Sequence, residues 1–202
     1  MMESAHETFN KLISEEILAV LQYKLMAHWC MFNRYQKLAY LIDNIRKQEE
    51  EHIEELTEKA FQLNLFSDIK YFISTDEVAN DGDIITADLT PEIIIEKLNS
   101  LEQSAINSYI QAINDSKIAK EDPSVAELFK HILEEEKQHD AIVEAEVKKL
   151  STLGSNDWLT TLVESKKPDL RFKPATAMKM NRMQAMYKAF QARATDKDFK
   201  IL

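Results

Sequence analysis

The chain has 202 residues, and its two Gly, four Pro and one Cys exclude a glycine-rich fold, a disulfide framework and a four-cysteine metal knuckle. No run approaches the ~18 apolar residues that a membrane span requires. The net charge of −10 is uneven: from Lys166 onward ten basic residues face three acidic ones, a tail of +7 that leaves −17 on the rest.

Four long segments carry apolar residues at helical spacing. The first runs from about Ser4 to Asn33, with a stripe of Phe9, Leu12/Ile13, Val20, Tyr23, Ala27 and Met31. The second, about Arg34 to Leu65, has Leu38, Leu41/Ile42, Ile45, Ile53, Leu56, Ala60 and Leu63. Residues 66–90 lack this period and hold the turn-forming Asn80-Asp81-Gly82-Asp83, so they read as a long crossover. The third helix starts at Thr90-Pro91, a capping residue and then a first-turn proline, and runs to about Ala119. Its β-branched Ile93-Ile94-Ile95 run weakens the helical signal locally. The fourth repeats the start signal at Asp122-Pro123 and continues to about Leu150, with Gly154 as its stop. Two helix hairpins joined by one long crossover predict an all-α four-helix bundle over residues 1–165. Residues 166–202 form a separate basic extension.

The stripes are interrupted by polar residues. Glu49 and His52 occupy stripe positions in the second helix, and Glu136 and His139 do so in the fourth. Glu16 interrupts the first stripe and Glu102 the third. These six should point inward, while neighbours such as Glu50, Glu135 and Lys137 can point outward. The halves also echo each other as Glu-x-x-Ala-[Val/Ile]-x-x-Tyr, from Glu16 to Tyr23 and from Glu102 to Tyr109. A Glu-x-x-His follows each, 33 residues after Glu16 and 34 after Glu102.

Unpaired carboxylates in an apolar core cost several kcal/mol each, and four together would repel. Two divalent cations neutralise them, and two imidazoles complete the coordination without adding charge. Oxygen and imidazole ligands with no thiolate suit iron or manganese. A lone Glu-x-x-His on a Glu-rich helix is ordinarily a solvated face; two at stripe positions, each with a matched Glu and Tyr, are not. Tyr23 and Tyr109 read equally as core aromatics or as hydrogen-bonding or redox partners. His131 falls off the Glu136 face and reads as surface, and His6 and His28 as incidental.

On these motifs the sequence resembles the ferritin-like di-iron proteins, and within them bacterioferritin, over roughly residues 4–165. The resemblance implies that Glu49 and Glu136 bridge two metals. It makes Glu16 and Glu102 terminal carboxylates, and His52 and His139 terminal imidazoles. Tyr23, in a Gln-Tyr pair, matches a tyrosine near the family's site. The run Leu153-Gly154-Ser155-Asn156-Asp157-Trp158-Leu159 looks like the entry to the short fifth helix of such subunits. Bacterioferritins bind haem through a methionine directly after the first bridging Glu; Glu50 stands there, so no haem is expected in that manner. Rubrerythrin-type peroxidases carry a further Glu where this chain has Ala105, and their rubredoxin module needs more than one cysteine.

The resemblance implies a ferroxidase that oxidises Fe(II) with O2 or H2O2 for iron storage in a homo-oligomer. A competing expectation keeps the metals but makes the protein a peroxidase or a small-molecule oxygenase, with a pocket beside the site. A third places function in the tail. Within residues 174–194, Met180, Met183, Tyr187, Phe190 and Ala194 share one face of a basic amphipathic helix. It would dock on the acidic body, a neighbouring subunit, a partner or a membrane surface, with nucleic acid the least favoured. The charged start, MMESAHETFNK, has no apolar leader, and with the lone Cys30 it predicts a cytoplasmic protein.

Overall fold

A computed structural model describes residues 4–65 and 89–163. The expected crossover, apart from its last residues, and the basic extension with its amphipathic helix lie outside these residues. The described residues form six helices: α1 (Ala5–Phe32), α2 (Gln36–Gln62), α3 (Pro91–Asp115), α4 (Lys117–Glu121), α5 (Pro123–Leu153) and α6 (Ser155–Leu162).

Local chemistry sets the boundaries. Ser4 and Glu7 form a capping box at the start of α1, each side chain satisfying the other's backbone N–H. Arg34, at φ 69°, reverses the chain between α1 and α2, and the Tyr35 N–H then donates to the Cys30 carbonyl at 2.8 Å. Thr90 and Asp122 cap α3 and α5 through their side chains, each with a proline in the first turn. Gly154, at φ 77°, ends α5 and starts α6. The Ile93–Ile95 run is helical because Ile94 and Ile95 are fully buried, and that burial outweighs their β-branched preference.

Two expected boundaries move. The third helix stops at Asp115 rather than near Ala119, and α4 follows as a separate short turn. Ser116 makes the break: its backbone is extended, and its hydroxyl donates to the Ala112 carbonyl while accepting from the Ala119 N–H. The fourth long helix runs to Leu153, three residues beyond the expected Leu150, because Gly154 is the stop.

α1 packs chiefly on α2 and α3 on α5, which gives two hairpins, with a thinner contact between α1 and α3. Their core is divided. One apolar cluster gathers Met26, Cys30, Leu38, Ile42, Ile94, Leu98, Val143 and Trp158. The other gathers Phe9, Leu12, Leu56, Ala60, Tyr109, Val125, Phe129 and Ile132. On every long helix the stretch between the two clusters carries buried acids or imidazoles: Glu16, Glu49 with His52, Glu102, and Glu136 with His139. Trp158 of α6 seals the first cluster, fully buried, with its indole N–H donating to Glu146 at 3.2 Å. No helix among the described residues is long and apolar enough to cross a membrane.

Candidate metal centre

The interruption of the core is a built polar layer. Glu49 and His52, three apart on α2, share a face, as do Glu136 and His139 on α5; Glu16 and Glu102 approach from α1 and α3. All six are buried, none more than 3% exposed. They fall into two overlapping groups whose ligand atoms lie within 4.8 Å of one another: Glu16, Glu49, His52 and Glu136, and Glu49, Glu102, Glu136 and His139. Glu49 and Glu136 belong to both, so two ions placed here would share these two carboxylates. The imidazoles flank them with ring centroids 5.9 Å apart.

The ring nitrogens divide their roles. His52 Nδ1 lies 3.0 Å from Glu49 Oε2 and 3.0 Å from Glu136 Oε1, and 3.9 Å from Glu16 Oε1. His139 Nδ1 lies 3.2 Å from Glu49 Oε1 and 3.6 Å from Glu102 Oε2. Each Nε2 faces the opposite hairpin: His52 toward Glu135 Oε2 at 3.0 Å, and His139 toward Gln48 Oε1 at 3.1 Å. Both tyrosines bond to the cluster, which resolves their alternatives toward hydrogen bonding. Tyr23 donates to Glu102 Oε1 at 2.5 Å, and Tyr109 donates to Glu16 Oε1.

Titration follows from this crowding. Burial, and then the nearby Glu49 and Glu136, push Glu16 well above the usual carboxylate range. Burial likewise raises Glu102 to about 7, against the opposing pull of the nearby His139. Burial favours neutral imidazoles, but the Glu136 and Glu49 carboxylates beside Nδ1 raise His52 to about 11. Burial opposes and Glu102, Glu136 and Glu49 raise His139, to about 12. Burial would raise Glu49, yet both imidazoles hold it down to about 2. Burial and the neighbouring carboxylates push both tyrosines up, so they remain donors. Without an ion, protons on His52, His139, Glu16 and Glu102 supply the positive charge that two divalent cations would otherwise bring.

The residues fit a metal pair. Glu49 Oε1, Glu102 Oε2, both Glu136 oxygens and His139 Nδ1 are buried without a well-formed hydrogen bond in the protein. Orphaned carboxylate oxygens converging with imidazole nitrogens are the donor set of a hard or borderline divalent ion.

Two residues expected to point outward do so. Glu50 is exposed and pairs with Arg46, and Lys137 is exposed and pairs with Glu134 at 2.6 Å. Glu135 does not: it is half-buried and holds His52. The sequence reading missed it, and also Gln48. Both stand one residue before a glutamate that belongs to both groups, and that matched placement in the two halves was the available signal. His131 is exposed as expected, 3.9 Å from Glu135. Cys30 is buried in the first apolar cluster, where burial pushes its thiol up and disfavours the thiolate.

No curated protein matches the chain in a sequence comparison. The family model of the ferritin-like domain matches residues 7–153, from the start of α1 through the end of α5, and so takes in all six cluster residues. With two hairpins, a split core and a carboxylate–imidazole layer between, the chain belongs to the ferritin-like family.

Proposed function

We propose that the protein is a bacterioferritin-like ferroxidase, taking two Fe(II) ions as substrates and oxidising them to Fe(III). The observation that carries this reading is the pair of overlapping ligand groups sharing Glu49 and Glu136. Two ions held on shared carboxylates sit close enough to give one electron each to one oxidant. The reaction balances as two Fe(II), one H2O2 and two protons giving two Fe(III) and two waters. With O2 in its place, the product is H2O2.

The chain's own residues supply the template. Glu49 and Glu136 span both positions, and Glu16 with His52, and Glu102 with His139, close the two ends. Tyr23 and Tyr109 fix the terminal carboxylates by hydrogen bonds, so binding needs little rearrangement. The apolar clusters flank the layer on either side.

In a storage role the subunits would assemble into a homo-oligomer, the acidic body or a neighbouring subunit would receive the basic tail, and Glu50 would leave no methionine for haem. Stopped-flow oxidation of Fe(II) under air tests the chemistry. Wild type should oxidise two irons per chain rapidly, and Glu49→Ala or Glu136→Ala should fall to the rate of free iron. Equal rates in all three would sink the ferroxidase.

One observation favours a second reading, a non-storage di-iron or di-manganese oxidoreductase. A cavity of about 140 Å³ opens beside Glu16, Glu49 and Glu136. Metal content and native mass on one sample separate the two: a large shell loaded with iron supports storage, and a dimer or monomer with two metals per chain supports the oxidoreductase.

A further inference from the structure

We propose that the cavity between the two hairpins is a substrate chamber for a small neutral organic molecule with one polar end, and specifically for an organic hydroperoxide. The proposal rests on the two-electron iron chemistry above and names an oxidant for it.

The chamber is a consequence of the internal repeat. Ala19 and Ala105 hold equivalent positions in the two halves, and both line the cavity where α1 faces α3. Neither side chain is long enough to fill the space between these thinly packed helices. Glu16, Glu49 and Glu136 form one side, so a guest lies directly against the cluster. A cavity of roughly 150 Å³ takes a benzene-sized guest of about six heavy atoms. At about 140 Å³ this one has far more room than O2 or H2O2 requires.

Its lining defines the guest. Leu18, Leu101 and the two alanines offer apolar wall, and no Lys, Arg or His lines it to attract an anion. Gln22 supplies the polar contact. It is fully buried, it lines the cavity, and neither its amide nitrogen nor its amide oxygen has a hydrogen-bond partner in the protein. A buried primary amide left unpaired is destabilising, and an apolar side chain at that place would avoid the cost. The amide offers a carbonyl acceptor beside N–H donors, the complement of a hydroperoxide's O–H and O. At the equivalent repeat position Ser108, also a lining residue, adds a hydroxyl.

The step balances: ROOH, two Fe(II) and two protons give ROH, H2O and two Fe(III). The O–O bond breaks, each iron gives one electron, and solvent protons go one to each oxygen.

The test uses the full chain loaded with redox-inert Zn(II), and tert-butanol, the stable product of tert-butyl hydroperoxide, as the binding probe. Saturation-transfer NMR should show transfer to the tert-butanol methyls in wild type and none in Ala105→Phe. Gln22→Leu should weaken that signal roughly tenfold, while its Tm rises by about 2–4 °C. Anaerobic stopped-flow with Fe(II) should show the tert-butyl hydroperoxide rate, relative to H2O2, falling roughly tenfold in both variants. Absence of a wild-type NMR signal, or equal signals in all three proteins, overturns the chamber even when O2 and H2O2 still oxidise iron. A lower Tm in Gln22→Leu with an unchanged signal overturns the role of Gln22. Tert-butanol binding without iron oxidation by any oxidant sinks the ferroxidase and the hydroperoxide chemistry but leaves the chamber standing. Should Ala105→Phe lose its helical circular dichroism, Gln22→Leu decides.

Discussion

Glu135 of α5 holds the Nε2 of His52 of α2 at 3.0 Å, whereas the matching place beside His139 is filled by the neutral Gln48, at 3.1 Å. The two halves therefore repeat the geometry but not the charge. A carboxylate on the far ring nitrogen fixes the tautomer and makes Nδ1 a better donor; an amide oxygen fixes the tautomer only. The ion on the His52 side should bind more tightly than the ion on the His139 side. Glu135→Gln should weaken one stepwise constant by about 10–100-fold and leave the other, and Gln48→Glu should strengthen the second. Anaerobic Fe(II) or Zn(II) titration reads both constants. Movement of the two together would show that the asymmetry has no energetic weight.

The tyrosines tie the hairpins to each other through the cluster. Tyr23 of α1 reaches Glu102 of α3, and Tyr109 of α3 reaches Glu16 of α1, so each hydroxyl crosses between halves. Replacing either with Phe leaves a buried carboxyl oxygen without its donor and should cost about 1–3 kcal/mol. Urea unfolding of chelator-treated protein measures this, and the double variant should lose more than either single one. Changes under about 0.5 kcal/mol, the level of ordinary surface substitutions, would mean that both rings act only as packing.

The six cluster residues were legible because a helix projects its stripe onto one direction, and a polar residue in a stripe has nowhere else to go. Glu135 and Gln48 were not. Each lies one residue before Glu49 or Glu136, a direction that faces water in an isolated helix. Only the arrival of the opposite hairpin's imidazole turns it inward. Ser116 could have been read, since a serine hydroxyl competes for backbone groups and favours caps over helix interiors. The cavity was not readable from polarity at all, because two alanines mark it by the volume they lack.

Loading the centre should expel protons. His52 and His139, raised to about 11 and 12, are imidazolium at neutral pH, and a metal needs their Nδ1 lone pairs. Glu102, raised to about 7, adds a third proton to the release below that pH, and Glu16, raised well above the carboxylate range, adds to it as far as it still holds its own. At pH 6 about three protons from His52, His139 and Glu102 should leave for each pair of ions, and above pH 7 one fewer, since Glu102 is then already ionised. Calorimetry in two buffers of different ionisation enthalpy counts them. Release of one proton or none would place the metals elsewhere.

The same groups set how stability varies with pH. Glu49 is held at about 2 against an ordinary 4.5, so between these values the unfolded chain binds a proton that the folded one refuses, and stability rises with pH. Above 4.5 the order reverses: folded Glu102 keeps its proton up to about 7, and Glu16 keeps its own, where the unfolded chain has released both. From 6.5 upward the imidazoles continue the trend, their folded values of about 11 and 12 standing above the ordinary one. With chelator present, the contribution of these groups should therefore peak near pH 4.5 and decline steadily through neutral and alkaline pH. Metal reverses the slope, because binding strengthens as the competing protons leave. Thermal unfolding at pH 5, 7 and 9, with chelator and with excess Zn(II), isolates the site as the difference between the two curves. That difference should grow with pH in wild type and vanish in Glu49→Ala. A difference independent of pH would mean that protons and metal do not compete for the same atoms.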